Sequence, residues 1–159
     1  MRILKLWFAV LGAISLISIA NPAFADDTQD QAAVRNLLMA TFDKPDARLT
    51  VEPVTVEGDV AVAGWAQGDM GGRALLRKKD GTWALTLCSG DALKEAVGLK
   101  TFGLSAEAAD ALSAAIVAAE AKLDPALVAK FSTFDGVVMM DGSGHHPPAE
   151  DHGNGQHKG

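Results

Sequence analysis

The chain has 159 residues, with 14 Lys and Arg against 20 Asp and Glu, for a formal net charge of −6. That acidic balance, with no basic run beyond Arg77-Lys78-Lys79, excludes the electrostatic footprint needed to hold nucleic acid or an anionic membrane. A single cysteine, Cys88, excludes an internal disulfide framework and leaves stability to packing.

Residues 1–25 have the pattern of a removable export signal. Arg2 and Lys5 give a positive start, Leu6 to Ile19 form an apolar stretch, and Ala23-Phe24-Ala25 is a small-x-small cleavage site. The apolar stretch is shorter than the ~20 residues a membrane span needs. An exported product without a stable membrane span is therefore expected, with the bacterial periplasm as its compartment. Cleavage before Asp26 leaves 134 of the 159 residues and removes two positive charges, moving the net charge from −6 to −8. That length suits one domain, expected over 26–138, with 139–159 as a flexible tail.

Thr28 to Phe42 reads as a helix. Thr28 and Gln31 fit a capping box, Val34, Leu37, Leu38 and Phe42 share a face, and Pro45 ends the run. The period then changes. Leu49, Val51, Val54 and Val56 suggest an irregular edge strand closing at Glu57-Gly58-Asp59, and Val60 to Gln67 suggests a second strand. The Gly68-Asp69-Met70-Gly71-Gly72 segment is expected to bend the chain into a third strand, Arg73 to Lys79. Asp80-Gly81 is a strong hairpin signal, leading to Thr82 to Cys88 with Trp83, Leu85 and Leu87 on one face.

The second half returns to helix. Asp91 to Val97 is expected to be short and to end at Gly98. Ser105 caps a longer helix with Ala109, Leu112, Ile116, Ala119 and Leu123 on one face, and Asp124-Pro125 starts another that carries Leu127, Val128 and Phe131. Val137 to Met140 reads as a last short strand or an extended arm. The fold class expected is α+β: an N-terminal helix on a four-stranded antiparallel sheet, as in cystatin-like rolls, then C-terminal helices and a disordered His-rich tail.

Chemistry concentrates in that tail. All four histidines, His145, His146, His152 and His157, lie in the last fifteen residues, just after Met139-Met140. Imidazole binds copper, zinc and nickel, and thioethers favour monovalent copper, so Met139 and Met140 tip the choice toward copper as Cu+ or Cu2+. Acid should weaken such a site as the imidazoles protonate below about pH 6.5. The spacing matches no rigid zinc pattern, and a polar terminus with incidental histidines is the competing interpretation.

Upstream, Met70, Asp69, Trp65 and Cys88 are candidate partner or metal contacts. Each also has a plain structural role: a tight strand connection for Asp69 and Met70, a core anchor for Trp65, a small buried hydrophobe for Cys88. Catalytic signatures are missing. The chain has no tyrosine, no histidine before residue 145, no Gly-x-Ser-x-Gly elbow and no phosphate-binding glycine loop, so a non-catalytic protein is expected.

The run Val60-Ala61-Val62-Ala63-Gly64-Trp65-Ala66-Gln67-Gly68-Asp69-Met70-Gly71-Gly72-Arg73-Ala74-Leu75-Leu76-Arg77 is followed by Asp80-Gly81-x-Trp83 and Leu87-Cys88-Ser89-Gly90-Asp91-Ala92-Leu93. With Phe131-x-x-Phe134-Asp135-Gly136-Val137-Val138-x-Met140 and a His-rich end, the chain resembles the copper uptake system-associated proteins of proteobacteria. The resemblance implies a small exported protein working beside copper import or copper handling, with a copper-import or copper-chaperone protein as its partner. It brings no ligand set that transfers residue by residue. The alternative is an interaction or small-ligand module that recognises its target through Trp65 and the Gly68–Gly72 loop, with the tail incidental.

Overall fold

A computed structural model describes residues 22–140, with side chains from Asp27 onward. The fold is α+β with a five-stranded antiparallel sheet and several helices. Helix α1 (Pro22–Phe42) precedes β1 (Leu49–Glu57), β2 (Val60–Gln67), β3 (Met70–Lys79) and β4 (Thr82–Ser89). A 3-10 turn over Asp91–Leu93, then α2 (Ala96–Thr101), α3 (Ala106–Glu120) and α4 (Pro125–Phe131), leads to β5 (Val137–Met139).

Each strand pairs with the next, in the order β1-β2-β3-β4-β5. Tight turns make this meander possible. Gly58, Gly68 and Gly81 hold positive φ angles of 56°, 61° and 76°, and Asp80 joins Gly81 in the left-handed region, as a two-residue hairpin between right-twisted strands demands. Alternation then sorts the side chains. Ala61, Ala63, Ala74, Leu76, Trp83 and Cys88 face α1, whose Val34 and Leu38 complete that core. Val62, Leu75 and Leu87 face the opposite way, against Leu93, Leu99, Leu112 and Ile116. The central strands are therefore buried on both sides, which is why they carry so few polar residues. Each fully buried leucine contributes about 1.5–3 kcal/mol.

Two helix starts follow from their caps. The Ser105 hydroxyl accepts from the Ala108 amide at the start of α3, and Asp124 Oδ1 accepts from the Ala126 amide at 2.8 Å, with Pro125 in the first turn of α4.

The sheet departs from the expected pattern in specific places. It has five strands rather than four, because Val137–Met139 pairs with Leu87–Ser89, and Met140 N–H donates to Thr86 O at 2.8 Å. Met139 and Met140, expected in the tail, thus belong to the edge of the sheet. Strand β3 starts at Met70, since a two-residue turn at Gly68-Asp69 suffices and Gly71 and Gly72 join the ladder. Leu75 faces Leu87 while Leu76 faces Leu85, so Thr86 is an extra residue. That bulge turns Leu85 toward α1 and Leu87 toward the other helices, against the expectation of one shared face. Another irregularity, between Val51 and Val54, keeps both residues on the α1 side.

The helices differ in detail as well. Thr28 lies within α1 rather than at its start. Gly98 lies inside α2 and ends nothing, and the segment before it is a 3-10 turn. On α3, Glu120 rather than Ala119 or Leu123 is the buried residue of the last turn, because Arg73 lies beneath it. The export-signal reading falls almost wholly outside the described residues. Among them, no helix is long and apolar enough to cross a membrane.

Candidate functional site

The α1 face of the sheet does not fill completely. A cavity of about 260 Å³ lies between the C-terminal end of α1 and the strands. Leu38 and Phe42 come from α1 and Leu49 from β1; Trp65 and Gln67 end β2; Ala74 and Cys88 lie on the central strands; and Phe134, Val138 and Met140 form the last wall. The space exists because Ala63, Ala74 and Cys88 meet across three adjacent strands where larger side chains would have reached α1.

The walls are braced separately from one another. Gln67 Nε2 donates to Phe42 O at 2.9 Å and Ala47 O at 2.6 Å, pinning the end of α1 to β2. The Phe134 ring meets the Trp65 ring edge-on, 5.7 Å between centroids and 78° between planes. A Cβ at Gly72 would stand 2.9 Å from both Trp65 Cζ2 and Phe134 Cβ, so the glycine makes room for that aromatic pair. Ser89 Oγ donates to Gly136 O at 2.7 Å and holds the arm that carries Phe134.

Among the described residues, the cavity lining contains no charged side chain. Burial pushes the Cys88 thiol up to about 12, so it stays protonated and neutral. The Trp65 indole N–H is buried without a hydrogen-bond partner, a costly condition for a donor.

This geometry divides the candidate residues. Trp65, Cys88 and Met140 line one cavity. Met139 does not join them: it is 64% exposed, whereas Met140 is 9% exposed, because consecutive residues of an extended chain point to opposite faces. The two thioethers expected to act together are thus set apart. Asp69 and Met70 sit at the β2–β3 turn, both exposed. There Lys130 Nζ donates to Gly68 O at 2.7 Å and Gly71 N–H donates to Thr133 Oγ1 at 3.0 Å, so α4 and the residues after it clamp the hairpin. His145, His146, His152 and His157 lie outside the described residues. Among the described residues, no group of three or more His, Cys, Asp or Glu is arranged to hold a metal ion.

A polar cluster lies on the opposite face of the sheet. Arg73 is buried under α3 and α4, bonded to Glu120, Asp91 and Phe131 O, with its guanidinium 5.6 Å from the centre of the Phe131 ring. Lys94 adds a second cation to Glu120 at 3.2 Å. The Asp91 carboxyl is held below its ordinary value, first by the Ser132 hydroxyl and then by Arg73, against the opposing effect of burial. Two cations and two carboxylates satisfy one another there, which makes it a tie between layers.

Sequence reasoning picked out Trp65, Cys88 and Met140 but missed Ala74 and Phe134 as parts of one site. The signal available was the row of small residues Ala61, Ala63 and Ala74 in strands otherwise rich in leucine and valine. No family model, no curated protein and no solved structure matches the chain.

Proposed function

We propose that the protein is a non-catalytic accessory protein of copper uptake, exported to the periplasm. In this reading the fold is a cystatin-like roll, and its C-terminal Met/His segment picks up the ion and passes it to a copper-import or copper-chaperone protein. The observation that carries the reading is where the two methionines of that segment lie. Met140, fixed on Thr86 O, stands next in sequence to Asp141 and the segment with the four histidines. Met139, its neighbour in the chain, is exposed and carries a second thioether. Imidazole and thioether donors suit copper better than the hard cations, which take oxygen ligands.

Copper is cargo here, and the domain's task is to present the segment that holds it. An anaerobic titration of monovalent copper, repeated with divalent copper and zinc, compares the exported chain with a form ending at Met140. Removal of the four histidines is expected to weaken copper binding by about tenfold or more, in line with the loss of several ligands. Full copper affinity in the shortened form would end the tail reading.

A further inference from the structure

We propose that the cavity between α1 and the sheet is a binding site for a small, uncharged, flat apolar molecule of about ten non-hydrogen atoms. This goes beyond the copper reading and does not depend on it.

Size sets the first limit. An apolar cavity of about 150 Å³ is known to hold benzene, so the 260 Å³ present here scales to about ten non-hydrogen atoms. Charge sets the second. Gln67 brings an amide whose N–H groups are already committed to two carbonyls, Cys88 a neutral thiol and Trp65 a single uncharged N–H donor, so an ion entering would lose its water with no opposite charge to meet it. The third limit is shape. The aromatic walls, Phe42, Trp65 and Phe134, favour a planar guest that can stack or meet ring edges.

The site is also built in advance. The Gln67, Gly72 and Ser89 contacts brace its walls without any guest, so binding does not have to order them. Ala74, wholly buried on the cavity side of β3, is the residue whose size keeps the space open.

The test uses quinoline, neutral at pH 7.5 and ten non-hydrogen atoms in size, added to the exported full chain with a copper chelator present. Calorimetry and the thermal midpoint are read together. Saturable one-to-one binding that raises the midpoint is expected, with naphthalene-2-sulfonate, similar in shape but charged, binding about tenfold more weakly or not at all. Ala74→Leu, which fills the space, is expected to remain folded and to weaken quinoline binding by about tenfold or more. Should that variant fail to fold, Val138→Phe on the edge strand supplies the same readout. Absence of quinoline binding, equal binding of the sulfonate, or unchanged binding in the filled variant would each overturn the proposal. Because copper is chelated throughout, these outcomes are independent of the tail titration.

Discussion

Arg73 Nε and Nη2 donate to the two carboxylate oxygens of Glu120 at 2.7 and 2.9 Å, and both side chains are almost wholly buried. A two-pronged ion pair of this kind joins β3 to the last turn of α3. The attraction is largely offset by the cost of taking both charges out of water, so its worth appears when one partner is removed.

Glu120→Ala leaves the Arg73 guanidinium with only Asp91 and the Phe131 carbonyl in a dry interior. Urea denaturation is expected to show a loss of about 3–5 kcal/mol. The double change Arg73→Met with Glu120→Leu removes both charges and should recover most of it. A single variant that lost less than about 1 kcal/mol would show the pair to be dispensable.

Asp30 ties α1 to the sheet: Lys78 Nζ lies 2.8 Å from its Oδ1, and Trp83 Nε1 donates to the same oxygen at 2.9 Å. The Lys78 hydrogen bond holds the Asp30 carboxyl below its ordinary value of 3.8, with Trp83 and the Lys78 charge acting the same way and outweighing burial, which acts against them. A carboxyl lowered on folding stabilises the protein fully above its unfolded value and loses that contribution as pH falls through the folded one. The stability gap between the parent and Asp30→Asn is therefore expected to be flat from about pH 5 to 7 and to shrink below about pH 4. Chemical denaturation across that range, followed by tryptophan fluorescence, measures it. A gap that widened in acid would rule this assignment out.

These ties also show how far the sequence could be read. Strand β2 and the ends of β1 were legible because hydrophobic alternation and the Gly58 and Asp80-Gly81 turns are local signals. The caps at Ser105 and Asp124 were legible for the same reason. What alternation cannot reveal is an extra residue. The bulge at Thr86 reverses the side-chain order along the rest of β4, and with it decides that Cys88, not Leu87, faces the cavity. Likewise, nothing near Glu120 announces that a buried arginine waits on β3, because that pairing spans 47 residues. Of the candidate site, Trp65 and the sulfur residues Cys88 and Met140 stood out by type. Ala74 did not, since its role is to be small.

Gly98 gives a test in which two effects of opposite sign compete. Replacing a glycine within a helix by alanine ordinarily stabilises by about 1 kcal/mol. Here the new Cβ would stand 1.9 Å from Ala92 O, a backbone atom of the preceding turn that cannot swing aside. The steric cost should win, with Gly98→Ala less stable by about 1–3 kcal/mol or more, visible as a lowered thermal midpoint. A stabilised variant would mean that α2 is free to shift away from that turn.

Cys88 provides a chemical reading of the same core. Its thiol, ordinarily near 9.0, is pushed up to about 12 by burial. Only the thiolate attacks an alkylating reagent, so at pH 8 the reactive fraction falls by about a thousandfold. Iodoacetamide should accordingly label the native protein about a thousandfold more slowly than the urea-unfolded chain, before counting the added hindrance of the cavity walls. The linkage runs in a definite direction. The folded state keeps a proton that the unfolded state releases above about 9, so the Cys88 contribution is complete below that pH and is lost as pH rises toward about 12. Cys88→Ala should remove that alkaline dependence and leave the acid side unchanged. Rapid native labelling at pH 8 would place the thiol in water and dismantle the uncharged wall on which the apolar site depends.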